Sequence, residues 1–317
     1  MSTGLAALVA TCLIPLATAQ AGEPGLAFRP DGEGRYSFDT GQIRGTLRAD
    51  AKGMGLSQVI HVKTGAGLAV ERGNMGLLSF YRSFSAGQRW GTYVCAWPKT
   101  AKLLPNGAVQ FAFPAADDHP FAITATYRIE TPTAIGLTTE VRPTRDLERF
   151  EIFLGSYYAA GMQSLVYVRP NAHRGGKPVF LPADVNPLVE GTYLSFPRDE
   201  AAARIVLDGR WKMGLHPVQW SITRYLAAPM AMRRLEKHDL GCLAMARPQD
   251  CFAIGTPYNM APNPDGVAGH YSMYLSLFGK DIKAGEAAEA RVRLVVESGL
   301  TTERAVAHYQ AFIGDRR

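Results

Sequence analysis

The sequence predicts an all-β fold, a large antiparallel two-sheet β-sandwich with a C-terminal helix packed on it. Three observations predict it. Alternation of apolar and polar residues recurs along most of the chain, turn residues interrupt it at short intervals, and a helical period appears only beyond Thr301. Successive strand side chains point to opposite faces, so such alternation marks a sheet with one face in a core.

In chain order, alternating runs fall at 43–47 and 109–113. Next, Phe121, Ile123, Ala125, Tyr127 and Ile129 alternate with Thr124, Thr126, Arg128 and Glu130. After a turn carrying Pro132, Ile135, Leu137 and Val141 alternate with Thr138, Glu140 and Arg142. Further strands follow at 150–158, 240–246, 270–278 and 292–296. Pro105-Asn106-Gly107, Asp208-Gly209 and Ala284-Gly285 supply turn chemistry between runs. Thr301 then caps a helix whose Ala305, Val306, Tyr309 and Phe312 share one face. A chain of 317 residues exceeds an immunoglobulin-type sandwich of roughly 100 residues. Propellers and β-helices carry repeats, and none is visible, which leaves the large sandwich.

The ends point to export. Leu5 to Ala19 is apolar and uncharged, too short to span a bilayer, and Ala17-Thr18-Ala19 and Ala19-Gln20-Ala21 both fit a small-x-small cleavage site. The expectation is a signal peptide over 1–21, one domain over 22–317, and a periplasmic or extracellular location. No other run is long and apolar enough for a transmembrane helix. Beyond the leader stand Cys95, Cys242 and Cys251, an odd number that argues against a disulfide framework. A hairpin at Arg247-Pro248-Gln249-Asp250 would put Cys251 opposite Ala246 and leave Cys242 out of reach, so three buried thiols are expected. The net charge of +6 comes from scattered Lys and Arg, with no basic run of the nucleic-acid kind. A modest positive field favours an anionic polysaccharide or the cell surface.

Three strands carry an unusual second face. In 270–278, Met273, Leu275 and Leu277 fall on one side, and His270, Ser272, Tyr274 and Ser276 on the other. Around Trp220, the residues Gln219, Ser221, Thr223 and Tyr225 share a face, and Ser79, Tyr81 and Ser83 do so between Leu78, Phe80 and Phe84. A solvated strand face usually carries Lys, Glu or Arg; these are uncharged, hydroxyl-rich and aromatic. Joined in one sheet they make a floor for a sugar, with hydrogen-bond partners for hydroxyls and rings for the C–H faces of a pyranose. The plainer alternative is a buried polar layer, each group internally paired.

Acid–base candidates are few. His173 lies in the cationic, glycine-bearing loop 169–177, where Arg169 or Arg174 can pair a substrate carboxylate. His216 precedes the Gln219 strand at the rim of the same floor, whereas His119 and His238 read as turns and His61 as strand. Glu190, flanked by apolar residues and glycine at a strand head, is the best-placed second carboxyl. No HxH, HExxH or CxxC spacing supports a metal, and no P-loop, dinucleotide fingerprint or GxSxG elbow occurs, so no cofactor is expected.

The segment from Pro120 to Ile129, followed by 134–141, resembles the central hairpin of the galactose-mutarotase-like supersandwich fold. The late strand 270–278, the turn 280–286 and the strand 290–296 are similar to the way many such domains end. The resemblance implies the sandwich fold; its members include aldose epimerases and parts of polysaccharide lyases and glycosidases. Epimerases present a catalytic His after the central hairpin, but the segment here reads Leu154-Gly-Ser-Tyr-Tyr-Ala159, so mutarotase activity and its catalytic residues do not carry over. The sequence therefore points to an exported carbohydrate-active protein working by lyase- or hydrolase-type acid–base chemistry. His173, His270 and Glu190 are its proton-transfer groups, Arg169 the carboxylate partner, and Tyr81, Gln219, Thr223, Tyr225, Tyr274 and His216 its binding residues. The alternative is a non-catalytic carbohydrate-binding or envelope-structural sandwich.

Overall fold

The computed structural model describes residues 25–50, 53–70, 75–170, 176–184, 193–259 and 271–315. The expected signal peptide, His173, Glu190 and His270 lie outside the described residues. Two large sheets dominate. One has nine strands, in the order Val179–Pro182, Gln163–Val168, Leu226–Leu235, Leu240–Ala246, Ala288–Ser298, Ala134–Pro143, Phe121–Thr131, Val109–Phe113 and Thr100–Leu103. The other has seven, in the order Trp220–Ile222, Tyr193–Pro197, Cys251–Pro257, Ser272–Ile282, Leu147–Tyr157, Ser79–Ser85 and Gln88–Trp90. A five-stranded sheet between Arg29 and Gly67 joins them, its strand Gly55–His61 meeting the segment before Ser79 through a Leu56–Leu77 bridge.

The predicted hairpin is present with a regular register, from Phe121 opposite Pro143 to Ile129 opposite Ile135. Its apolar residues enter the layer between the two large sheets. There Phe80 of the seven-stranded sheet meets Phe113 at 6.0 Å, and Phe121 meets Phe150 edge-on at 4.9 Å. The outer face of the nine-stranded sheet is closed by the helix Thr302–Gly314. Thr301 caps it, accepting from the Arg304 N–H at 3.3 Å, and Ala305, Tyr309 and Phe312 bury against Met230, Met245 and Val295. No helix among the described residues is long and apolar enough to cross a membrane.

The expectation for Arg247–Asp250 needs correction. Leu240–Ala246 and Cys251–Pro257 belong to different sheets, so this turn is a crossing between layers rather than a hairpin. Both strands are buried throughout, and a strand without a solvated face has no alternation to show which sheet it joins. The thiols are unbonded and buried as expected. Burial pushes Cys95 up to about 11 and Cys242 and Cys251 up to about 12, leaving them unreactive near neutrality.

Candidate functional site

The outer face of the seven-stranded sheet carries the site. Register fixes which side chains face outward: Tyr274 lies opposite Gly155, Phe153 opposite Ser276 and Arg82, and Gly255 opposite Tyr274 and Ser195. The leucines of the same strand, Leu275 and Leu277, pair with Leu154 and Ile152 and face the core, as the alternation predicts.

A β-bulge shapes one end. Between Phe80 and Arg82 the ladder skips, so Tyr81 and Arg82 together oppose Phe153. A bulge presents two neighbouring side chains to one face, and the Arg82 guanidinium lies 4.8 Å from the Tyr81 ring centroid. Ser83, expected beside Tyr81, instead pairs with Ile152 on the core side.

The outward aromatics form a continuous stack. Tyr93 lies on Tyr81 at 5.4 Å, Tyr81 reaches Tyr274 at 6.2 Å, and Tyr274 lies on Phe153 at 4.5 Å. Phe153 then meets Trp211 edge-on at 4.4 Å and Trp220 at 5.9 Å. Two glycines make room. A Cβ on Gly255 would sit 2.8 Å from the Trp220 ring, and one on Gly155 would touch Tyr274 at 3.4 Å. The Tyr274 and Tyr157 hydroxyls lie 3.3 Å apart, and burial pushes the Tyr274 phenol well above its ordinary value. Tyr274 is only 3% exposed, and Ser272 and Ser276 are buried with it. The inner part of the face is thus a packed polar-aromatic layer. Its open end is Tyr81 and Tyr93, both half-buried, with Tyr193 half-buried on the far side of Trp220.

A buried ion cluster fixes the cover. Arg210, fully buried, donates to Glu151 Oε2 at 3.0 Å and to Asp208 Oδ2 at 2.9 Å. Glu151 projects from the sheet and is 1% exposed; its burial pushes the carboxyl up against the opposing pull of Arg210. The pair pins the turn Arg210–Lys212, and with it Trp211, onto Phe84 and Phe153.

Other sequence-predicted residues fall elsewhere. On the edge strand Trp220–Ile222 the outward residue is Trp220, paired with Tyr193, so Ser221 has the opposite parity. Gln219 and Thr223 flank this strand and are exposed, off the stack. Burial of the indole over Gly255 decides the facing, and a strand of three residues has too little alternation to show it. Tyr225 donates to Glu200 at 2.7 Å, and its carbonyl accepts from the Arg169 N–H. The Arg169 guanidinium donates to the Leu226 and Arg198 carbonyls at 3.0 and 2.8 Å, so Arg169 and Tyr225 form a cluster with Glu200 apart from the stack. His216 does sit at the rim, but it is its carbonyl that acts, accepting from Arg82 at 3.0 Å. Arg82, Tyr93, Glu151, Phe153, Trp211 and Trp220 join the site without being marked by alternation; a carboxylate between Phe150 and Ile152 is a local signal of a covered, charged outer face.

No family model and no curated protein matches the sequence. Among solved structures, the chain is similar to the Slr1438 protein of Synechocystis sp. PCC 6803, with 11% identity and a TM-score of 0.50 over 86% of this chain and 99% of that one. It is also similar to a putative aldose 1-epimerase from Escherichia coli K12, with 10% identity and a TM-score of 0.47 over 83% and 99%. The α-N-acetylgalactosaminidase NagBb of Bifidobacterium bifidum aligns at 13% identity and a TM-score of 0.46, over 92% of this chain and 39% of that one. The likeness is one of fold alone: the chain is an antiparallel sandwich.

Proposed function

We propose that this chain is an exported protein that binds carbohydrate on the outer face of its seven-stranded sheet, with sugar rings laid against Tyr81 and Tyr93. One observation carries the reading: the half-buried pair stacks at 5.4 Å and is continuous with the buried Tyr274 and Phe153 rings. Ring faces held from behind are presented without loss of rotamer freedom, so little ordering cost opposes a pyranose C–H face that docks on them. Glu151 and the Tyr157–Tyr274 pair of this face are buried and closed to proton transfer with a ligand, whereas His216 at the rim is exposed. Lyase- or hydrolase-type chemistry would fall to His270, His173 and Glu190, and is the extension of this reading.

Calorimetric titration with a panel of neutral and acidic oligosaccharides tests it. At least one oligosaccharide binds the wild type, and Tyr81→Ala and Tyr93→Ala each weaken that binding roughly tenfold, about 1.4 kcal/mol. A panel with no binder, or variants that bind as the wild type does, overturns the proposal.

A further inference from the structure

Arg82 and Arg89 flank the open end of the stack, and among the described residues neither is ion-paired with a carboxylate. Arg82 is 1% exposed; one Nη donates to the Tyr81 hydroxyl at 3.1 Å and to the His216 carbonyl at 3.0 Å. Its Nε and other Nη are buried and find no partner, and neither does Nε of Arg89. Arg89 donates to the carbonyls of Met213 at 3.2 Å, Leu215 at 2.9 Å and Thr92 at 3.1 Å. The two guanidiniums feel each other: burial and the Arg82 charge push Arg89 below its ordinary value.

Among the described residues, these two charges are answered by backbone carbonyls, by the Tyr81 hydroxyl and by the Tyr81 and Trp211 rings, whose centroids lie 4.8 and 5.2 Å from the Arg82 guanidinium, and by no carboxylate. The loop turns three of those carbonyls inward through left-handed residues, Gly214 at φ 73° and His216 at φ 57°. A Cβ on Gly214 would stand 2.8 Å from Arg89 Nη1. Carbonyl dipoles satisfy donors but leave the net charge uncompensated, and a desolvated guanidinium is stabilised best by an anion that accepts from its planar fork. The Tyr81 oxygen accepts from Arg82, so its own proton is left to donate outward and is polarised by the cation behind it.

We propose that Arg89 and the Tyr81 hydroxyl, with Arg82 behind them, form an oxyanion subsite for a carboxylate or sulfate group carried by the bound saccharide. The inference rests on the carbohydrate reading and narrows it to acidic sugars. A ligand oxygen meets the half-buried Arg89 and Tyr81 first, while its ring lies on Tyr93.

The test compares three oligosaccharides of matched length, one neutral, one a uronate and one sulfated, titrated at two ionic strengths. One acidic probe binds at least tenfold tighter than the neutral probe, and which of the two does so identifies carboxylate or sulfate. Arg89→Gln abolishes that margin and Arg89→Lys restores part of it. Arg44→Gln, which removes the same charge from an exposed strand position, leaves the margin intact. If Arg89→Gln fails to fold, Tyr81→Phe carries the test, keeping the ring and losing the acidic margin over the neutral probe. Equal affinity for all probes, or equal losses in Arg44→Gln and Arg89→Gln, overturns the subsite and leaves the carbohydrate reading standing. A wild type that binds none of the three overturns the carbohydrate reading itself.

Discussion

Replacing Arg210 with alanine destabilises the protein by about 3–5 kcal/mol, the range for breaking a buried pair by removing one partner. The cause is what the substitution leaves behind. Glu151 is 1% exposed on the sheet, and its charge faces Arg210 at 3.0 Å. Without the guanidinium the carboxylate either takes up a proton or pays its full desolvation, and the turn carrying Trp211 loses its anchor. Glu151→Gln costs less, because Arg210 keeps Asp208 at 2.9 Å on its other nitrogen. An Arg210→Met, Glu151→Gln double variant recovers part of the loss, since it leaves no charge at 151 and Asp208 keeps Arg149 at 3.5 Å. Urea unfolding of the set measures this; a single Arg210→Ala variant as stable as the wild type would contradict a role for the pair in holding the cover.

Phe153→Ala has a comparable effect, about 3–5 kcal/mol for a large aromatic removed from a packed site. Phe153 packs against the rings of Tyr81, Tyr274, Trp211 and Trp220 at once. The cavity cannot close easily, because its walls are rigid rings held by separate elements. Phe153→Leu refills part of the volume and costs correspondingly less. The substitution also loosens Tyr81 from behind, so carbohydrate affinity falls in Phe153→Ala although Phe153 itself is buried. Stability without loss, measured by urea unfolding, would mean that the stack is not the framework of this face.

The contrast between what was and was not legible has a physical basis. The central hairpin and the C-terminal helix are local: Phe121 to Val141 alternate over regular ladders, and Thr301 caps a face spaced for a helix. The face of the strand Ser272–Ile282 was legible for the same reason, since Leu275 and Leu277 keep strict parity. Parity fails where the ladder is irregular. One extra residue at Tyr81 reverses the facing of everything after it, which is why Arg82 rather than Ser83 joins the outer face. It fails again on the short edge strand, where Trp220 and not Gln219 is turned to the stack. The Glu151–Arg210 pair joins residues 59 apart in sequence, and no local pattern encodes such a meeting. The chain crossing at Arg247–Asp250 looks like a hairpin in sequence because both flanking strands are buried on both faces and carry no alternation.

Hydroxyl-radical footprinting read by mass spectrometry addresses the central claim most directly. With a saturating saccharide from the titration panel, oxidation of Tyr81 and Tyr93 falls several-fold, while Tyr167, half-buried on the nine-stranded sheet beside Phe180, reacts as before. Protection that spares Tyr81 and Tyr93 and falls on the nine-stranded sheet instead would contradict the account.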